Sequence, residues 1–78
     1  MTTFDRLRDA MAVTLKIPLD TIRETTTQED LAAWDSLGHI NLMVALETAF
    51  DVTLEVEDFA RLTSVPAILG YLGEQRAT

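Results

Sequence analysis

Trp34-Asp35-Ser36-Leu37-Gly38-His39-Ile40-Asn41-Leu42-Met43-Val44-Ala45-Leu46-Glu47-Thr48-Ala49-Phe50 is the stretch that decides the fold. Asp35 suits a helix N-cap, because its carboxylate can accept from the amides that a first helical turn leaves without partners. Behind it, Leu42, Leu46 and Phe50, with Met43 beside them, recur at helical spacing and form an inward face. Leu37, Asn41, Val44 and Thr48 lie on a different face. Two apolar sets on one helix exceed what a surface helix requires. Leu37 and Val44 are therefore either exposed contact residues or packed against a second element of the domain. Phe50-Asp51 closes the helix.

On the N-terminal side, Phe4, Leu7, Met11 and Leu15 form the stripe of an amphipathic first helix. Thr2 or Thr3 caps it, and Pro18 requires it to stop by about Lys16. Residues 17–34 read as a long connection that Ile17, Leu19, Ile22 and Leu31 pin to the core, with a helical turn near Pro18 to Arg23. Trp34, the single tryptophan, reads as a partly buried anchor that closes this loop. On the C-terminal side, Val52, Leu54 and Val56 alternate like a strand but have no partner strand, so they read as a linker with its apolar residues turned inward. A short helix follows over about Glu57 to Leu62, with Phe59 and Leu62 buried. A last helix starts near Ser64, with Thr63 or Ser64 as cap and Pro66 in its first turn. Ile68, Leu69 and Leu72 supply its apolar side, and residues 74–78 are expected to fray. The predicted fold is all-α: a bundle of three main helices plus one short helix, with a long first loop, in a single domain over residues 1–78.

Composition narrows the function. The chain of 78 residues carries 13 acidic and 6 basic side chains, a formal net charge of −7. That field repels phosphate backbones, which excludes nucleic acid as a partner and favours basic protein surfaces. There is no cysteine, so neither a disulfide nor a thiolate metal site is available. No apolar run approaches the ~20 residues that cross a bilayer, and the start lacks a basic region followed by a long apolar stretch. We expect a cytoplasmic monomer that does not insert into membranes.

Catalytic equipment is sparse. His39 is the only histidine. Asp35, Ser36 and His39 are close in sequence, but Asp35 as a cap points at amides, and a working triad also needs an oxyanion site and a cleft. Glu55, Glu57 and Asp58 cluster without the spacing of a calcium loop, so no metal site is expected. Ser36 is the unusual residue, a hydroxyl in the first turn of a helix at the edge of a long loop. A phosphate attached there would meet the positive end of the helix dipole and unpaired amides. The residues alone leave open whether Ser36 is modified or is a second local cap.

Trp34-Asp35-Ser36-Leu37-Gly38-His39, followed by Ile40, Leu42, Met43, Ala45, Leu46, Glu47 and Phe50, resembles the acyl carrier protein family over nearly the whole chain. The resemblance implies that Ser36 carries 4'-phosphopantetheine, loaded from coenzyme A by a phosphopantetheinyl transferase. It implies a non-enzymatic carrier of acyl intermediates as thioesters, which explains how a chain without cysteine can hold them. It also implies docking of loading and transferring enzymes, with basic surfaces, through the second helix and the acidic segment after it. Carried over, the contact residues are Asp35, Leu37, Asn41, Val44, Glu47, Glu55, Glu57 and Asp58. Gly38, His39, Asn41 and Thr48 depart from the strongly acidic second helix of fatty-acid carriers. That departure implies a specialised pathway, fatty-acid-like, polyketide or other. An aminoacyl or peptidyl carrier, and an interaction module that is never loaded, are the alternatives.

Overall fold

The computed structural model describes residues 2–77, and the side chains of residues 2–73. Four helices follow one another: α1 (Thr3–Leu15), α2 (Ser36–Phe50), α3 (Val56–Arg61) and α4 (Val65–Ala77). No strand occurs among the described residues, and no helix there is long and apolar enough to cross a membrane.

Each helix starts and stops for a local reason. Thr2 caps α1 in a reciprocal box with Asp5: the Asp5 amide donates to Thr2 Oγ1 at 3.0 Å and the Thr2 amide to Asp5 Oδ2 at 3.1 Å. Both α1 and α2 end on a left-handed residue that is not glycine, Lys16 (φ 57°) and Asp51 (φ 53°). The next amide then closes back five residues, Ile17 to the Ala12 carbonyl and Val52 to the Glu47 carbonyl. Ser64 caps α4, its Oγ accepting from the Ala67 amide at 3.1 Å, and Pro66 sits in the first turn, where no intrahelical donor is required.

α1 and α2 run antiparallel. At one end Arg6 donates to the Ala49 carbonyl at 2.9 Å, capping the carbonyl end of α2 and lying over the Phe50 ring. At the other end Leu15 packs against Gly38. Leu7, Met11 and Leu15 meet Leu42, Met43 and Leu46 in a core completed by Ile22, Trp34, Leu54, Leu62, Val65, Ile68 and Leu72. Burial at this scale supplies most of the stabilisation, since helices of this length are marginal in isolation.

The long first loop is more ordered than its sequence suggests. It contains the expected helical turn, a 3₁₀ turn at Leu19–Thr21, and a second one at Gln28–Asp30 that was not anticipated. It also pairs with the turn before α4: the Gln28 amide donates to the Thr63 carbonyl at 2.9 Å and the Val65 amide to the Thr26 carbonyl at 2.8 Å. Backbone groups that a free loop would leave to water are satisfied there.

Several expectations are corrected. Leu19 is exposed and does not pin the loop, a task left mainly to buried Ile22. Trp34 is fully buried, at 1% exposure. In the 51–56 linker Leu54 is buried and Val52 packs partly buried against the core, as expected, but Val56, at 84% exposure, opens α3 on the solvent side. Phe4, Phe50 and Phe59 pack at the edge of the core and remain half-buried. The helical backbone of α4 runs to Ala77; the side chains of residues 74–78 lie outside the described set, and with them the expected fraying.

Candidate functional site

Ser36 is the first residue of α2 and its side chain is exposed. The preceding Asp35 is extended (φ −87°, ψ −170°), and its Oδ1 accepts from the Gly38 amide at 2.8 Å. The Asp35 carbonyl accepts from His39 N at 2.8 Å, the first bond of the helix. Asp35 thus acts as the predicted N-cap. The amides of Ser36 and Leu37 have no protein acceptor among the described residues, and both precede the first intrahelical bond. A phosphodiester on Ser36 Oγ fits this place: it would lie over two unpaired donors at the positive end of α2. That placement is worth roughly 0.3–1 kcal/mol for an exposed group.

Gly38 has a structural task. A Cβ there would stand 2.5 Å from the Ala33 carbonyl oxygen, 3.1 Å from Leu15 Cδ2 and 3.2 Å from Asp35 Oδ1. The loop backbone therefore packs directly against the first turn of α2, and only glycine admits that approach. It fixes the segment that delivers the chain to Ser36.

His39 is buried, at 8% exposure, and both ring nitrogens are engaged. Nδ1 accepts from Trp34 Nε1–H at 2.9 Å, and Nε2 bonds to the Phe59 carbonyl on α3. The acceptor role of Nδ1 leaves Nε2 to carry the proton, so the ring is neutral in this arrangement. The expectation that placed His39 near the contact positions is corrected: it is an internal bridge, and it is not oriented as a base for Ser36. Its spacing from Leu42, Met43 and Leu46 puts it on the buried stripe, a signal present in the sequence.

The exposed face of α2 carries Leu37 (68% exposed), Val44 (54%), Asn41 and Thr48. Of the two readings open for Leu37 and Val44, the exposed one holds. Ile40, half-exposed and lying three residues after Leu37 and four before Val44, joins them. It was missed although its spacing shows it. Glu55 and Glu57 are exposed on and beside α3.

Two of the acidic residues expected to contact partners are committed within the fold. Glu47 is half-buried, and its Oε2 accepts from the Leu54 amide at 3.0 Å. Asp58 is half-buried, its Oδ2 accepting from the Glu55 amide at 2.9 Å, with Arg61 at 3.8 Å from Oδ1.

A serine exposed on the first turn of a helix, preceded by a capping aspartate and set in a small helical bundle, is the arrangement of a carrier domain, and the comparisons with known proteins agree. The phosphopantetheine attachment site family matches residues 5–72. Acyl carrier proteins of Campylobacter jejuni subsp. doylei and Campylobacter fetus subsp. fetus are 34% and 32% identical over 73 residues, spanning 92% of this chain and 94% of each relative. The solution NMR structure of holo acyl carrier protein from Geobacter metallireducens superposes with a TM-score of 0.84 at 26% identity, covering 99% of this chain and 88% of that one. The chain belongs to the acyl carrier protein family and bears 4'-phosphopantetheine as its prosthetic group. Members of this family work with phosphopantetheinyl transferases and acyl-handling enzymes.

Proposed function

We propose that Ser36 is the attachment point of the arm, and that residues 1–78 act as one carrier domain that is acted on by separate enzymes and is not itself an enzyme. The observation that carries this is the exposed Ser36 hydroxyl at the first position of α2, behind the Asp35 cap. Loading forms a bond from Ser36 Oγ to phosphorus, breaks the diphosphate link of coenzyme A, and releases adenosine 3',5'-bisphosphate and a proton. The transferase supplies the base and its magnesium ion. When bound, the group supplies a terminal thiol on a flexible reach, which the chain lacks. The chain's own residues place the hydroxyl: Asp35 orders the first turn, and Gly38 lets the loop close on it.

The docking surface in this reading joins Asp35, Leu37, Ile40, Asn41 and Val44 of the α2 side to Glu55 and Glu57 at α3. Its centre on α2 is uncharged and its ends are acidic. The complementary partner has an apolar contact flanked by arginines or lysines. An uncharged centre differs from an acidic helix read by charge alone, and it favours a specialised acyl pathway over general fatty-acid synthesis. The protein acts as a cytoplasmic monomer.

The test is intact mass after incubation of the apo-protein with coenzyme A and a broad-specificity transferase. Wild type gains the mass of the arm. Ser36→Ala gains nothing and keeps the wild-type circular dichroism. Uptake by Ser36→Ala would move the attachment point elsewhere.

A further inference from the structure

α3 has six residues and cannot hold its own geometry in water. Two side chains of α2 hold its two ends. Glu47 accepts from the Leu54 amide just before α3 begins. His39, two turns earlier on α2, bonds to the Phe59 carbonyl in the last turn of α3, a carbonyl that a helix end leaves without an intrahelical donor. The polarity is complementary: an acceptor serves the entry and a donor serves the exit. The second nitrogen of the same His39 ring accepts from Trp34, two residues before Ser36. One imidazole is therefore the shared partner of the attachment segment and of α3.

We propose that His39 is a positioning residue for transfer of the arm to Ser36. Its neutral ring, accepting from Trp34 and donating to Phe59, holds the attachment segment and α3 in the single relative placement that the transferase binds. This rests on the reading of Ser36 as the attachment point. His39 touches neither Ser36 Oγ nor the incoming group in this role. It sets how often the two parts of the docking surface, Asp35 and Leu37 on one side and Glu55 and Glu57 on the other, are in register together. When only a fraction of the carrier is in the competent arrangement, apparent affinity falls by that fraction. Chemistry after docking is unchanged, because the transferase supplies the base.

Steady-state loading kinetics of the apo-protein with coenzyme A and a phosphopantetheinyl transferase test the proposal. His39→Phe keeps a ring but supplies neither hydrogen bond. Its KM for the carrier should rise about tenfold, as expected when the competent fraction falls to about a tenth, with kcat near the wild-type value. His39→Gln restores an acceptor and a donor on one planar group, and should return KM to within about threefold of wild type. Ile68→Val, in the core of α4, lowers stability without touching the bridge and should leave KM unchanged. In the wild-type protein, the imidazole nitrogen resonances should report the neutral ring with its proton on Nε2. A wild-type KM in His39→Phe, an equal rise in Ile68→Val, or a wild-type ring with its proton on Nδ1 would each overturn the proposal. The last measurement requires no variant to fold. If wild type itself takes up no arm at Ser36, the carrier reading fails first. If wild type loads normally and His39→Phe matches it, only the role of His39 fails.

Discussion

Trp34 donates its indole N–H to Nδ1 of His39 across 2.9 Å in the interior of the protein, the two rings tilted by 32° with centroids 6.0 Å apart. The bond ties the last turn of the long loop to the second turn of α2, around the exposed Asp35 and Ser36. A buried pair of this kind matters more when broken than when made, because the partner left behind has lost its water.

Trp34→Phe removes that donor while keeping an aromatic ring. The unpaired Nδ1 and the lost ring volume together should lower unfolding free energy by about 2–4 kcal/mol. Urea unfolding followed by circular dichroism measures it. A loss below about 0.5 kcal/mol would mean that water replaces the indole, and that the Trp34–His39 bond contributes little.

Gly38→Ala sets two effects against each other. Helix propensity favours alanine by about 1 kcal/mol. The added Cβ, however, meets the Ala33 carbonyl at 2.5 Å, and a backbone atom cannot swing aside as a side chain does. Overpacking of this sort costs about 1–3 kcal/mol. The net expectation is destabilisation. Gly70→Ala in α4, where nothing lies within 4 Å of the new Cβ, should stabilise by about 0.5–1 kcal/mol. Thermal melts of the pair separate the two terms by sign.

Much of this fold was legible in the sequence because its signals are local. Asp35, Pro18, Ser64 and the Leu7–Met11–Leu15 spacing each act within one or two turns, and the helices appear where those residues direct them. That Leu37 and Val44 lie on a different face from Leu42 and Leu46 was legible from their spacing; that this face is exposed, with no second element packed on it, comes from the structure. What stayed hidden depends on residues far apart in sequence. His39 meets Phe59 across 20 positions, and Glu47 meets the Leu54 amide beyond the end of its helix. A polar side chain that completes another element's backbone leaves no periodic trace. Glu47 and Asp58 were therefore read as solvent-facing charges, as acidic residues in an acidic chain usually are.

Leu37→Ala and Leu42→Ala should divide docking from stability. Leu37 is 68% exposed and Leu42 fully buried. Truncating Leu42 should cost about 2–5 kcal/mol in stability. Truncating Leu37 should leave the melting curve within about 0.5 kcal/mol of wild type. Leu37→Ala should also weaken binding to a partner enzyme by at least about 1 kcal/mol, the usual threshold for an apolar contact that matters. A binding titration and a melt on each variant suffice. Unchanged affinity in Leu37→Ala would remove this face of α2 from the docking surface.

Glu47 gives a sharper contrast than a docking residue would. Glu47→Gln keeps an oxygen for the Leu54 amide and should change stability little. Glu47→Ala leaves that amide, on a buried residue, without its partner, at about 1–3 kcal/mol. The salt dependence of loading should stay close to wild type in Glu47→Gln, since the side chain faces Leu54. In Glu57→Gln, where the charge is exposed on α3, it should weaken. Loading rates across an ionic-strength series decide which carboxylate the partner meets.

Tyr71 reports on the same acidic end of the bundle. Its hydroxyl donates to the Thr53 carbonyl at 3.2 Å, and it is the only tyrosine in the chain. Its phenol is held above the ordinary value of 10.0, first by desolvation and then by the negative charges of Asp58, Glu55 and Glu47. The folded state therefore keeps the phenolic proton to higher pH than the unfolded chain does. Below pH 10.0 this group makes stability neither rise nor fall. As pH climbs past 10.0, the unfolded chain ionises first, and stability declines until the folded phenol also titrates. Phenolate absorbance should rise with a midpoint above that of free tyrosine. Added salt should lower that midpoint by screening the three carboxylates, while leaving the larger desolvation effect in place. Glu55→Gln, which removes an exposed charge, should move it the same way. A midpoint at the free-tyrosine value, unmoved by salt, would mean that neither desolvation nor the charges of Asp58, Glu55 and Glu47 act on the Tyr71 phenol.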